Sequence, residues 1–179
     1  MSRTALRLEI DPFLVINWFD IHPFPCSDLS ANMPLIDSST TIKVSSTLDK
    51  SVGKKNLIDG SPETCWTSAA GLPQSIELGF SDPVTPTQLA LTFQGGFVGT
   101  RCAVYGILHQ DSQDASDALS KWQPIAQIYP EDINRRQTFR LTPGTNQIDL
   151  SQGVLRLRIV FEESSDFFGR ITLYNLELS

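Results

Sequence analysis

The chain has two imidazoles, His22 and His109. Acid–base or nucleophilic catalysis needs such a base within hydrogen-bond reach of a hydroxyl, thiol or amine. His22 lies in a stretch without periodic pattern, and His109 sits beside the acidic run Gln110–Asp117. Neither spacing pairs a base with a nucleophile. The sequence contains no GxSxG, no HExxH and no phosphate-binding loop ending in Lys. Gln94-Gly95-Gly96-Phe97-Val98-Gly99 is glycine-rich but leads into a strand pattern. It therefore has no helix N-terminus with which to hold a phosphate. The chain reads as a non-enzyme, with no cofactor expected.

Metal chemistry has one foothold. Asp59 and Thr64, which flank Gly60-Ser61-Pro62-Glu63, resemble the positions where calcium-binding jelly rolls place oxygen ligands, and with backbone carbonyls they are the candidate ligands for a structural Ca²⁺. Ca²⁺ takes about six to eight oxygens, and this turn offers few side-chain ones. The same two residues serve equally well to close a tight turn. The three cysteines, Cys26, Cys65 and Cys102, are an odd number without metal spacing. Reduced thiols inside the cell, in nucleus or cytoplasm, are the expectation.

Recognition chemistry is better represented. Phe93-Gln94-Gly95-Gly96-Phe97 is followed by Arg101; Tyr129-Pro130-Glu131-Asp132 and Asp166-Phe167-Phe168-Gly169-Arg170 come later. Each cluster sets aromatic rings beside Gly or Pro and a charge, at the end of a strand pattern. Exposed rings within a charged rim are the makings of a binding surface. The alternative is that the rings close the end of the fold and Arg170 pairs with Asp166. Phe97 is the best candidate for an exposed apolar spike.

Strands must position these loops. Ile42 and Val44 alternate with Lys43 and Ser45; Ile76, Leu78 and Phe80 alternate with Glu77 and Gly79. Leu89, Leu91 and Phe93 form another inward set, and Leu155, Leu157, Ile159 and Phe161 face away from Arg156 and Arg158. Ala103–Leu108, Ile125–Tyr129, Thr138–Leu141 and a mixed last segment, Ile171–Leu178, bring the total to eight. No amphipathic stretch reaches three helical turns. An all-β, eight-stranded antiparallel jelly-roll sandwich is predicted. Arg135, Arg136 and Arg140 could join Arg156 and Arg158 in a basic stripe, although a solvated sheet face explains them as well.

Residues 1–37 differ from the rest: they hold Phe13, Trp18, Phe19 and Phe24 without a period. They are expected to form an irregular or partly disordered extension, or an arm packing on the domain or a partner. Translation starting at Met33 would leave only a short leader. The domain is placed at residues 38–179. Net charge is −6, which opposes a bulk electrostatic grip on nucleic acid or an anionic membrane. Runs such as Phe13-Leu14-Val15-Ile16 are too short to span a bilayer.

Gly53-Lys54-Lys55-Asn56-Leu57-Ile58-Asp59 enters a turn, and Glu63-Thr64-Cys65-Trp66-Thr67-Ser68 delivers one tryptophan ahead of a strand. Trp66 is large enough to plug one end of a sandwich, and its indole N–H needs a partner when buried. This segment resembles the entry motif of discoidin-like domains, the coagulation factor five/eight C-type and galactose-binding-like jelly rolls. With the Gly-Gly-Phe, Pro-Glu-Asp, Gln137-Thr138-Phe139 and Asp-Phe-Phe-Gly-Arg elements in this order, it is most similar to a small intracellular subgroup, repressors associated with the testicular orphan receptor. The resemblance implies a nuclear or cytoplasmic binding protein, with a co-repressor role towards a nuclear receptor. Within that frame Phe97, Arg101, Glu131, Asp166, Phe168 and Arg170 are the candidate partner-binding residues. Two alternatives remain: a carbohydrate-binding jelly roll, with Trp122 or Tyr105 as the stacking face, and a structural subunit of a larger complex.

Overall fold

Alternating apolar residues become strands that each bury one face. The computed structural model describes residues 33–109, 121–141 and 150–179. The extension as far as residue 32, with His22 and Cys26, and the acidic run Gln110–Asp117 lie outside the described residues. Those described contain nine strands: β1 (Thr41–Val44), β2 (Trp66–Thr67), β3 (Gln74–Val84), β4 (Gln88–Phe93), β5 (Arg101–Leu108), β6 (Gln123–Ile128), β7 (Arg136–Arg140), β8 (Val154–Glu163) and β9 (Thr172–Leu178). Eight follow the predicted segments. The ninth, β2, is a two-residue strand at Trp66 itself.

The strands form two antiparallel sheets, β1-β3-β8-β5-β6 and β2-β9-β4-β7. Their inner faces meet in one core. Ile76 and Leu78 of β3, Val104 of β5, and Leu157, Ile159 and Phe161 of β8 lie against Leu89, Leu91 and Phe93 of β4 and Leu173, Leu176 and Leu178 of β9. The last strand reads as mixed for a physical reason. Register shifts between Thr92 and Phe93, which pair with Asn175 and Leu173, so a bulge near Tyr174 turns Leu173 and Leu176 to the same side.

Leu35 and Ile36, read from the sequence as the end of the extension, pack on this core, and the Leu35 N–H donates to the Leu178 carbonyl at 2.8 Å. Arg156 and Arg158 lie on β8 of one sheet, whereas Arg136 and Arg140 lie on β7 of the other. The two sets belong to different layers and make no common stripe. Arg156 and Arg158 both reach Glu77, at 2.7 Å for Arg158, and both guanidinium groups stack on Trp122.

Trp66 is fully buried. Its indole N–H donates to the Ser46 carbonyl at 3.0 Å, and its ring lies 6.2 Å from Phe161, which meets Phe93 edge-on at 6.1 Å. Next to it lies Gln74, a buried amide with every hydrogen-bonding position used. Its oxygen accepts from the Ser45 and Ser46 hydroxyls, and its NH₂ donates to the Ala69 and Gly71 carbonyls. The Ala69 N–H in turn donates to the Ser46 hydroxyl at 3.0 Å. The seat of Trp66 and the following loop are thereby tied to one side chain.

Candidate functional site

Three connections gather at the end of the sandwich where β4, β6 and β8 finish and β5, β7 and β9 begin. They are the loops at residues 94–100, 129–135 and 164–171. In the first, the Phe97 N–H donates to the Gln94 carbonyl at 3.0 Å, and Gly96 takes φ +82°. A side chain at Gly96 would disfavour that left-handed backbone. The turn folds Phe97 back over the domain.

The loops hold one another by hydrogen bonds from backbone N–H groups to carbonyls and side-chain oxygens. Ser165 N–H donates to Val98 O and Val98 N–H to the Ser165 hydroxyl, both at 2.9 Å; Thr172 N–H donates to Phe97 O at 3.0 Å. The Gly96 N–H donates to Asp132 Oδ1 at 2.7 Å, joining the second loop to the first. That second loop is braced by Gln137, whose amide accepts from the Glu131 N–H and donates to the Glu131 carbonyl, both at 2.9 Å. Gly169 is buried at φ +73°, and any Cβ there would press on Leu72 at 3.0 Å. The Phe168 carbonyl accepts from the Gly71 N–H at 2.8 Å, so the third loop also rests on the segment anchored by Gln74.

At the centre is a charge clamp. Arg170 Nε and Nη2 donate to the two Asp166 oxygens at 2.9 and 3.0 Å. The carboxylate also accepts the Phe168 and Arg170 N–H groups at 3.2 and 3.0 Å. The Arg170 side-chain bonds, more than any other contact, hold the Asp166 carboxyl below the usual aspartate range, and Asp166 raises the Arg170 guanidinium in return. The guanidinium lies 4.9 Å from the Phe97 ring centre and 5.4 Å from that of Phe168. Both distances suit a cation–π contact. A fixed cation between two rings can present apolar surface and charge together without reorganising.

Four of the six sequence-derived residues, Phe97, Asp166, Phe168 and Arg170, therefore meet in one cluster. Arg101 lies at the same end but is engaged at the β5–β8 junction, with Nε 2.9 Å from Glu162 and Nη1 3.4 Å from Glu163. Glu131 is exposed and faces Arg135 at 3.5 Å. Phe97 is half-buried and is not the apolar spike, because the Gln94–Phe97 turn lays its ring against Arg170. The spikes are Phe167, 94% exposed, and Phe168, 62% exposed, with Tyr129 and Leu72 also open to solvent. Phe167 and Asp132 lie inside the aromatic clusters of the sequence, where residue type alone does not mark them over their neighbours. Leu72 had no sequence signal, since its place beside Gly169 comes from the fold. Trp122 and Tyr105 lie away from this cluster: Trp122 carries the two β8 arginines, and Tyr105 pairs in register with Arg158 and Pro124.

The Asp59 turn is closed by its own bonds. Thr64 Oγ1 donates to Asp59 Oδ2 at 2.6 Å and the Ser61 N–H to Oδ1 at 2.9 Å, which holds the carboxyl below the usual aspartate range. No cluster of three or more His, Cys, Asp or Glu that could hold a metal ion occurs among the described residues. The turn supplies one carboxylate, engaged by one bond at each oxygen, so a Ca²⁺ here would draw its remaining ligands from backbone carbonyls and water. Cys102 is buried, its thiol donates to the Gly99 carbonyl at 3.2 Å, and burial pushes its pKa up, which makes it inert as a nucleophile. The His109 backbone N–H donates to the Gly153 carbonyl at 2.9 Å. No helix among the described residues is long and apolar enough to cross a membrane.

No family model matches the chain. Two proteins named nuclear receptor 2C2-associated protein are close to it in sequence. The Xenopus tropicalis protein is 40% identical over 147 residues, covering 80% of this chain and 96% of its own. The Bos taurus protein is 38% identical over 147 residues, covering 80% and 93%. Among solved structures, the family 32 carbohydrate-binding module of Clostridium perfringens NanJ, in complex with galactose, superposes with a TM-score of 0.57 at 18% identity, over 79% of this chain and 93% of that one. That likeness establishes a galactose-binding-like β-sandwich. The chain belongs to the family of nuclear receptor 2C2-associated proteins.

Proposed function

We propose that this protein is a non-catalytic interaction module whose loop end, Phe97, Asp166, Phe167, Phe168 and Arg170, grips a protein partner, and that the partner is a nuclear receptor. The observation that carries the reading is the Asp166–Arg170 clamp, set between two rings and topped by a phenylalanine that is 94% exposed. Solvent-facing rings on an immobilised, charge-neutralised base resemble the aromatic and arginine anchors that dominate protein interfaces. The name borne by the relatives supplies the receptor. Arg101 and Glu131 lie towards the rim, where charges tune orientation and rate more than affinity. A co-repressor role follows if the bound module keeps the receptor from its own partners.

A carbohydrate site is less well supported. A sugar needs free forked donors and acceptors beside a ring, whereas Asp166 and Arg170 are already bonded to each other. The test is capture of a 2C2-type nuclear receptor by the immobilised full chain, with Phe167→Ser and Phe168→Ala combined as the variant. A loss of affinity of about tenfold or more, which is about 1.4 kcal/mol, is expected. Undiminished capture would remove the loop end from the interface. Glycan-array binding that depends on the same two rings would replace the protein partner by a sugar.

A further inference from the structure

Four of the chain's five lysines, Lys43, Lys50, Lys54 and Lys55, line a single open groove of about 710 Å³. Its other walls among the described residues are Val44, Thr47, Gly53 and Asn56, none of them acidic. This concentration stands out in a chain of net charge −6. The arginines behave differently: Arg101, Arg135, Arg136, Arg156, Arg158 and Arg170 all make ion pairs. Among the described residues none of the four lysines makes one.

The nearby carboxylates are occupied elsewhere. Glu77 pairs in register with Lys43, but Arg156 and Arg158 take both of its oxygens. Asp49 precedes Lys50 and caps the 3₁₀ turn Lys50–Val52, accepting the Ser51 N–H at 2.7 Å and the Ser51 hydroxyl. Lys54 Nζ donates to the Ile42 carbonyl at 2.6 Å, which pins the turn Lys54–Leu57 along the free edge of β1. An ammonium has three donors, so Lys54 keeps two for a ligand. Clustered cations without counter-charges repel one another, and a bound anion relieves that repulsion.

We propose that this groove beside β1 is a second docking surface, which takes an acidic segment of a protein partner through its aspartate and glutamate carboxylates. Among the described residues the groove has no arginine or aromatic lining, which denies single-stranded nucleic acid its stacking platform. The acidity of the whole chain opposes the long polyanion of DNA and the anionic membrane surface, but a short carboxylate-rich segment meets only the local field. None of the loop-end residues lines the groove, so the two surfaces can be tested separately.

The experiment measures fluorescence anisotropy of a labelled glutamate-rich peptide titrated with the full chain, against a glutamine-substituted control. The variants are Lys50→Glu with Lys55→Glu, and the conservative Lys50→Arg with Lys55→Arg. Lys54 is left intact because it braces β1, and circular dichroism checks the fold of each variant. Binding that weakens about tenfold or more in the charge-reversed protein, persists in the arginine protein and persists when Phe167 and Phe168 are replaced is the expected result. Binding should also fall steeply with salt, as exposed charges are screened. Failure of the parent chain to bind the peptide, or equal binding by the charge-reversed protein, would overturn the proposal. So would tighter binding of single-stranded DNA or phosphatidylserine vesicles through the same lysines.

Discussion

Two groups of aromatic rings illustrate opposite uses of the same chemistry. Trp66, Phe93 and Phe161 are fully buried and contact one another across the two sheets. Phe167 and Phe168 contact each other edge-on at 5.3 Å, yet both stand in solvent. The first group gains from removal of apolar surface from water, and its polar atom is matched by Ser46. The second forgoes that gain. What holds the second group is its base: the carboxylate–guanidinium clamp and the buried glycine beneath it. Stability resides in the inner rings, while the outer ones form the surface proposed to bind.

The comparison breaks most directly at Trp66. Trp66→Ala should lose about 3–5 kcal/mol in chemical denaturation, since a fully buried ring leaves a cavity. A loss below about 1 kcal/mol would place the plug elsewhere. Gln74→Ala comes next, at about 1–3 kcal/mol, because Ser45, Ser46, Ala69 and Gly71 would be left with unmet hydrogen bonds. Retention of the parent midpoint in urea would show that water replaces the amide without cost. Gly169→Ala should cost about 1–2 kcal/mol from the left-handed backbone and the Leu72 contact, read as a lowered melting temperature. The outer rings should behave in the reverse sense. Phe168→Ala with Arg170→Ala should lower stability by only about 1 kcal/mol, from the lost Asp166 ion pair, while abolishing partner capture. If that pair unfolds the domain, the division between the two groups is wrong.

The smallest effect is a matter of pH. Asp166 is held ionised by Arg170, so its folded pKa is depressed. Its contribution is present above the ordinary aspartate value, about 3.9, and is lost as acid titrates the folded carboxyl below it. Ring proton resonances of Phe168 should therefore shift in acid, and the shift should vanish in Asp166→Asn. Resonances that move near neutral pH would point to another group.

Much of this architecture could be read from the chain. Alternation over Ile76–Phe80 and Leu89–Phe93 disclosed inward faces because a half-buried strand has a period of two. Trp66 disclosed itself as a plug by its size and by the turn that delivers it. β2 escaped because two residues carry no period, and β9 looked mixed because a bulge near Tyr174 breaks the alternation. At the loop end, residue types announced the three clusters, and the Asp166–Arg170 spacing allowed their pairing. Which ring faces solvent was hidden, since it depends on Gly96 turning Phe97 inward and on Gly169 lifting its neighbours. The lysine groove was hidden for a similar reason. Lys50, Lys54 and Lys55 are close in sequence, but Lys43 joins them only when the 3₁₀ turns fold against the edge of β1.

The saturated amide of Gln74 bears on how such a domain can diversify. The pedestal under positions 167 and 168 is built from main-chain atoms, the Asp166–Arg170 pair and the interior Gln74 amide, none of them supplied by the two rings, so its shape does not depend on what is mounted on top. Exchanging those two tip residues should retarget the domain while leaving its foundation intact.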